Sequence, residues 1–381
     1  MDFQLTEEQE LLKDSIRELI TRDFPEDYFK KCDETGTYPR EFMRALSENG
    51  ISLLGVPEEL GGIPADYVTQ MMALMEVSAN GAPSFLITNG QCIHSMKRFG
   101  SEEQLRLTVE STLETGDPAY SLALTEPGAG SDNNSASTTF TRKNGKVYLN
   151  GQKTFITGAV EYPYMLVLAR DPAAQDPKKA FTLWWVDAKT AGVRINPLKK
   201  VGWHMLSTCE VYLDDVEVDE SDMVGEEGNG FNHVMYNFEM ERLINAARST
   251  GFARCAFEDA ARYANQRIQF GKPIGHNQMI QEKLALMAIK VENMTNFVYK
   301  VAWQADKEES LRTTAALAKL FCARTAMEVI DDAMQIFGGI GYTDDCRVSR
   351  FWRDVRCERI GGGTDEIMIY IAGRQILNAY K

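Results

Sequence analysis

Hydrophobic periodicity changes character twice along the 381 residues, and the order of those changes is the strongest constraint on the fold. From Thr6 to about Gly116 apolar residues recur at helical spacing, with Thr6 and Gln9 forming a capping box ahead of Leu11, Leu12, Ile16, Leu19 and Ile20. From about Pro118 to Met223 the pattern turns to strands and turns. Asn144-Gly145 and Asn150-Gly151 bracket Lys146–Leu149 and predict tight hairpin connections there. Tyr164–Ala169, Phe181–Val186 and Val211–Leu213 are β-rich runs between polar or Pro/Gly stretches. After the glycine-rich loop Gly225–Gly230 helical spacing returns and holds to Lys381. The chain therefore reads as α+β in three domains, helical over 1–117, β over 118–225 and helical over 226–381. It lacks the alternating β/α order of a dinucleotide-binding sheet, and no strand leads into a Gly-x-Gly-x-x-Gly turn.

Charge narrows the partners. A formal net charge of -14 repels nucleic acid and anionic membrane surfaces alike. It leaves room for a nucleotide cofactor, which a few local cations and backbone amides can hold. The N-terminal residues lack a signal-peptide pattern and no run is long and apolar enough to cross a membrane, so a cytoplasmic or matrix-type soluble protein is expected. Seven cysteines, with no Cys-x-x-Cys pair, predict free buried thiols. His94, His204, His233 and His276 lack metal-ligand spacing, and no metal site is expected.

Two glycine-bearing runs carry the chemistry. The first is Ala123-Leu124-Thr125-Glu126-Pro127-Gly128-Ala129-Gly130-Ser131-Asp132, and its plainer reading is a β-turn. The second is Gln335-Ile336-Phe337-Gly338-Gly339-Ile340-Gly341-Tyr342, whose plainer reading is a helix ending on a glycine cap. Asp345, Arg350 and Asp354 trail the second run at fixed spacing. Together, in this order and separation, the two runs resemble the signatures of the acyl-CoA dehydrogenase family of FAD flavoproteins, and the likeness covers essentially the whole chain.

That resemblance implies an N-terminal helical domain, a middle β-barrel or sandwich and a C-terminal four-helix bundle. It implies FAD contacts at Leu122, Leu124, Thr125 and Ser131, with Phe155 covering the flavin ring and Thr157 bonding near N5. It further implies that Arg267, Gln269, Phe270, Gln278, Gln335, Gly338 and Gly339 meet the adenosine end of an FAD held mainly by a neighbouring subunit, with Thr364 and Glu366 completing the cofactor set. An Arg suits a pyrophosphate because its planar fork donates two parallel hydrogen bonds. A shared cofactor implies a homotetramer, a dimer of dimers.

The catalytic base departs from the family's commonest pattern. Many relatives carry it as the Glu of a C-terminal Glu-Gly-Thr string, and here Gly362 stands at that position, followed by Gly363 and Thr364. A minority branch carries the base on an earlier helix in Glu-Arg-Leu, matched by Glu241-Arg242-Leu243. Glu241 is thus expected to be the base, with Asp365 and Glu366 as competing carboxylates. Its plainer reading is a surface Glu on an amphipathic helix. The resemblance makes Ser131, Glu239, Arg242 and Gly362 substrate contacts, the last through its backbone amide on the thioester carbonyl.

Cys255–Arg267 and Ser349–Asp354, with the Met1-Asp2-Phe3 start, look most like the crotonobetainyl-CoA reductase branch. The expected activity is reduction of the α,β double bond of crotonobetainyl-CoA, with electrons from an electron-transferring flavoprotein. Phe85, Tyr162 and Tyr236 are candidates to face the trimethylammonium group. Two readings compete, an oxidative short- or branched-chain acyl-CoA dehydrogenase and a non-redox acyl-CoA lyase. A scaffold that keeps only the fold is a further one.

Overall fold

The computed structural model describes residues 4–176 and 179–381; the Met1-Asp2-Phe3 start that entered the resemblance lies outside them. Among the described residues six α-helices come first: α1 (Glu7–Asp23), α2 (Glu26–Thr35), α3 (Arg40–Glu48), α4 (Tyr67–Ala79), α5 (Asn89–Phe99) and α6 (Glu102–Thr115). The Thr6/Gln9 capping box is formed, Thr6 Oγ1 accepting from Gln9 N at 3.2 Å and Gln9 Oε1 accepting from Thr6 N at 3.0 Å. Ser101 and Gln104 form a second box at the start of α6. Gly116 ends α6 at φ +80°, where a Cβ would stand 2.3 Å from Met43 O, so only glycine fits.

Eight strands follow: β1 (Tyr120–Ala123), β2 (Thr139–Lys143), β3 (Lys146–Thr157), β4 (Tyr164–Arg170), β5 (Phe181–Asp187), β6 (Val193–Pro197), β7 (Thr208–Val218) and β8 (Met223–Val224). They pair in the order β6-β7-β3-β2-β4-β5-β8, with β1 parallel to β4. Phe140, Val147, Leu149, Met165, Val167 and Trp184 fill the core on one side. Asn144 and Gly145, at φ 55° and 76°, make the two-residue turn from β2 to β3 with Lys143 opposite Lys146. The second expected turn does not form. Asn150 and Gly151 lie inside β3, where the register against β7 shifts between Leu149 and Gly151. Gly151 is needed there because a Cβ would come within 2.5 Å of Thr138 Oγ1. The Asn-Gly pair marks a bulge and a close strand crossing in place of a turn.

Five helices complete the chain: α7 (Gly230–Gln266), α8 (Gln278–Asp306), α9 (Thr314–Phe337), α10 (Arg347–Val355) and α11 (Asp365–Ala379). The chain forms two compact units. One gathers Met1–Lys31, Ala65–Phe85 and Glu239–Lys381, and the other gathers Cys32–Pro64 and Leu86–Phe238.

In the first unit, long-range ion pairs pin distant segments together. Glu76, only 2% exposed, pairs with Arg254 and Arg17. Arg350, 3% exposed, donates to both Glu26 oxygens at 2.7 and 2.8 Å and to Gly81 O at 3.2 Å. Lys30 Nζ reaches Asp345 at 2.5 Å. Two residues trailing the second signature run therefore tie α10 and its approach to the N-terminal segments. Their fixed spacing has a structural cause. Arg350→Met should lower the unfolding free energy by about 2–3 kcal/mol, because it leaves the Gly81 carbonyl without this donor and the Glu26 carboxylate with Arg347 at 3.8 Å. Urea denaturation measures this, and a loss under about 0.5 kcal/mol would show the pin to be incidental.

Candidate active site

In the β unit the first signature run leaves β1 and turns sharply, Glu126 N and Ala129 N each bonding the other residue's carbonyl at 3.0 Å. The plainer turn reading is therefore geometrically correct. Gly128 and Gly130 face open space, and Ser131 is exposed. Thr154 N bonds Thr125 O at 2.8 Å, joining this run to β3. There the register against β7 shifts again, between Lys153 and Ile156, and Phe155 sits at φ 58° with 65% of its surface exposed. A bulky residue at positive φ is strained. The bulge turns the Phe155 ring outward, while Ile156 beside it is buried. Leu122 and Thr157 are half-buried and Leu124 is buried.

A buried ion pair holds this arrangement. Lys153 is 0% and Glu126 4% exposed, and Lys153 Nζ donates to Glu126 at 2.8 Å and to Leu124 O at 3.1 Å. Glu126 also accepts from Ser137 N at 2.6 Å, Ser137 Oγ at 2.7 Å and Thr138 N at 2.9 Å. Burial alone would push its carboxyl up, but Lys153 and these donors hold it down at about 2. Burial likewise works against the Lys153 charge, which Glu126 supports. Four donors on one carboxylate fix the pair as ionised.

In the other unit, α7 ends at Gln266 and a two-residue hairpin follows, Gln269 opposite Lys272. Its tip is Phe270 and Gly271, both at positive φ, and Phe270 is 100% exposed. Arg267 and Gln269 flank the tip and Gln278 opens α8, all three exposed. The second signature run ends α9 at Phe337, whose ring lies 4.5 Å from that of Tyr263 on α7. That contact places the glycine loop beside the base of the hairpin. Gln335, Gly338 and Gly339 are exposed, and a Cβ at either glycine would meet nothing within 4 Å. Gly338 takes φ 64° as the expected glycine cap.

Glu241 lies on α7, half-buried, with Glu239 half-buried and Arg242 buried beside it. Its carboxylate points at Gly362: a Cβ there would stand 3.2 Å from Glu241 Oε1 and 2.7 Å from Asn245 Nδ2. Gly362 is at φ 64°, and Thr364 two residues on caps α11 by accepting from Ile367 N. Burial raises the Glu241 carboxyl above the ordinary range; Arg248, Arg242 and Lys319 oppose this and Glu358 adds to it. Lys319 Nζ donates to Gly363 O, fixing the glycine loop from α9. Asp365, the nearer competing carboxylate, is already paired with Arg324 at 2.9 Å and Arg359 at 2.7 Å. Glu366 is exposed in the first turn of α11.

Residues 6–113, 121–216 and 228–377 match the N-terminal, middle and C-terminal domains of acyl-CoA dehydrogenases. The chain belongs to the acyl-CoA dehydrogenase family. It is 83% identical, over the full length of both chains, to "Probable acyl-CoA dehydrogenase YdiO" of Escherichia coli K12. It superimposes on butyryl-CoA dehydrogenase of Megasphaera elsdenii with a TM-score of 0.92 at 30% identity, covering 99% of this chain and 100% of that one. A chain from a structure of the electron-transferring flavoprotein of Acidaminococcus fermentans matches with a TM-score of 0.92 at 32% identity, covering 99% and 100%. The fold is that of the family, with helical, sheet and helical domains in order. The protein is an FAD-dependent oxidoreductase acting on CH–CH bonds of acyl-CoA.

The residues present fit FAD. The strained, outward Phe155 ring offers a planar face, and open glycines at 128, 130, 338 and 339 admit close backbone approach. The expected cation partners fare differently. Phe85 and Tyr162 are 2% and 5% exposed, and Tyr236 already carries the Arg98 guanidinium 4.2 Å above its ring. Sequence reasoning missed Asn245, Arg248, Lys319 and Glu358 around Glu241. Asn245 and Arg248 follow Glu241 at i+4 and i+7, a helical-face signal that was available; Glu358 and Lys319 come from other segments and had none. It also missed the Glu126–Lys153 pair.

Lys153→Met should destabilise the protein by about 3–5 kcal/mol by leaving Glu126 buried without its cation, as read by chemical denaturation. The Glu126 carboxyl is held below its unfolded value, so its stabilisation is present above about pH 4 and is lost as pH falls toward 2. Glu126→Gln should flatten that acid limb, and an unchanged limb would show that the pair does not govern it.

Proposed function

We propose that this enzyme reduces the α,β double bond of crotonobetainyl-CoA to γ-butyrobetainyl-CoA, with Glu241 as the proton-transfer residue and an electron-transferring flavoprotein as electron donor. The observation that carries the assignment of Glu241 is its carboxylate lying against the bare α-carbon of Gly362, where the base of most relatives would be attached. Burial favours its protonated form, which suits delivery of a proton to the α-carbon of an enoyl thioester. FAD, when bound, exchanges the β-hydrogen as hydride. The chain's own part is to hold the proton at Glu241 and to offer the Gly362 amide to the thioester oxygen. Glu239, Arg242 and Ser131 would hold the rest of the acyl-CoA.

The substrate reading rests on the Cys255–Arg267 and Ser349–Asp354 segments. An electron-transferring flavoprotein partner is supported by the structural likeness to a chain from that system. Oxidation of a short acyl-CoA is the second reading, favoured by the likeness to butyryl-CoA dehydrogenase. Among the described residues no helix is long and apolar enough to cross a membrane. A cytoplasmic homotetramer is proposed, because Phe270, Met279, Tyr342 and Tyr380 stand 79% to 100% exposed on a single chain. Arg267, Gln269, Phe270, Gln278, Gln335, Gly338 and Gly339 would then meet the adenosine end of a neighbour's FAD. Leu122, Leu124, Thr125, Ser131, Phe155 and Thr157 would contact the flavin end, and Thr364 and Glu366 complete the proposed cofactor set. Domain boundaries at 117/118 and 225/226 belong to this proposal.

The dithionite-reduced protein should be reoxidised rapidly by crotonobetainyl-CoA and not by crotonyl-CoA, followed by anaerobic flavin absorbance. Glu241→Gln should slow this at least about 100-fold, the scale of general acid–base catalysis. Equal rates with both thioesters would reject the substrate, and an unimpaired variant would reject the proton donor.

A further inference from the structure

The pocket around Glu241 contains a second side chain with no assigned part. Asn245 is 1% exposed and sits one helical turn beyond Glu241 on α7. Its orientation is forced. A guanidinium can only donate, so the atom 2.5 Å from Arg248 Nη2 is the carbonyl Oδ1. Arg248 cannot turn away, because Glu358 holds it at Nε (2.6 Å) and Nη2 (3.2 Å). The Asn245 Nδ2 donor is left over, buried and without a hydrogen-bond partner. It faces the point above Gly362 that the Glu241 carboxylate also faces.

A buried donor left unmade costs free energy comparable to a lost hydrogen bond, so an acceptor is expected to meet it. The groups acting on Glu241 are Arg242 and Arg248 of α7, Lys319 of α9 and Glu358 of the turn Arg356–Arg359. Arg248 is engaged by Glu358 and Asn245, and Lys319 by Gly363 O. Asn245 Nδ2 is neutral and directional, and it borders the space that a Gly362 side chain would otherwise fill. We propose that Asn245 is a positioning residue for Glu241: the Arg248–Glu358 pair braces its amide, and rotation of the half-buried Glu241 side chain into the space left by Gly362 brings the carboxylate onto the Nδ2 donor that is unpaired in this structure. An N–H can bond the ionised carboxylate through either oxygen, so the contact favours the charged form and opposes the upward push of burial. It therefore sets how readily Glu241 gains and releases its proton, and it fixes where the carboxylate points. The catalytic significance rests on the proposed role of Glu241; the hydrogen bond itself does not.

The test is an infrared pH titration of the carboxyl stretch of Glu241 in the FAD-loaded protein, with the band assigned by its loss in Glu241→Gln. Asn245→Leu should move the midpoint upward by about one unit, the size expected when one hydrogen bond to a charged group is lost. Asn245→Asp keeps the shape and the Arg248 contact but replaces the donor with a second carboxylate, and should move it further upward. It serves alone if the Leu variant does not fold. A merely structural Asn245 would lower the melting temperature and leave the midpoint in place, and an unmoved midpoint in a folded variant overturns the proposal. Retained turnover in Glu241→Gln would instead reject the role of Glu241 while leaving the hydrogen bond standing.

Discussion

The surroundings of Glu241 depend on a side chain that is missing. Gly362 adopts φ 64° with the Glu241 carboxylate and the Asn245 amide packed against its bare α-carbon. A Cβ there would come within 2.7 Å of one and 3.2 Å of the other, so a side chain at 362 and these two groups cannot coexist without rearrangement. The absence of Glu at 362 and its presence at 241 are one steric solution. Around it, Lys319 anchors the Gly363 carbonyl and the Arg248–Glu358 pair braces Asn245. Burial outweighs the pull of Arg248, Arg242 and Lys319 and raises the proton affinity of Glu241.

The proposed cofactor contacts follow a related logic, in which backbone strain presents aromatic rings. Phe155 and Phe270 both sit at positive φ with exposed rings, one in a strand bulge and one at a hairpin tip. Such conformations persist where the surroundings over-determine them. For Phe155 the surroundings are the Thr125–Thr154 bond and the buried Lys153–Glu126 pair two strand residues away. The same pair ties the first signature run to β3 through the Leu124 carbonyl. Glu126 is thus part of the motif because it holds the turn together.

Much of this was legible in the sequence. The helix, strand, helix order came from periodicity, and the Thr6/Gln9 box and the Asn144-Gly145 turn came from local chemistry that tertiary contacts do not override. Asn150-Gly151 carried the same dipeptide signal but lies inside β3, because the approach of Thr138, invisible locally, decides its conformation. Glu241 was found through a motif and the gap at Gly362. Its environment was not, since Lys319 and Glu358 reach it from other segments and no spacing rule links them. The trailing Arg350 and Asp345 were recognised as a pattern, and only the fold shows that they clamp N-terminal segments.

The most direct test of the account is exchange of the α-hydrogen of a bound acyl-CoA with solvent deuterium, using a thioester whose β-carbon is replaced by sulfur so that no hydride can leave. Wild type should exchange it, and Glu241→Gln should do so at least about 100-fold more slowly with its FAD content unchanged. Equal exchange in the two proteins would contradict the assignment of proton transfer to the carboxylate beside Gly362.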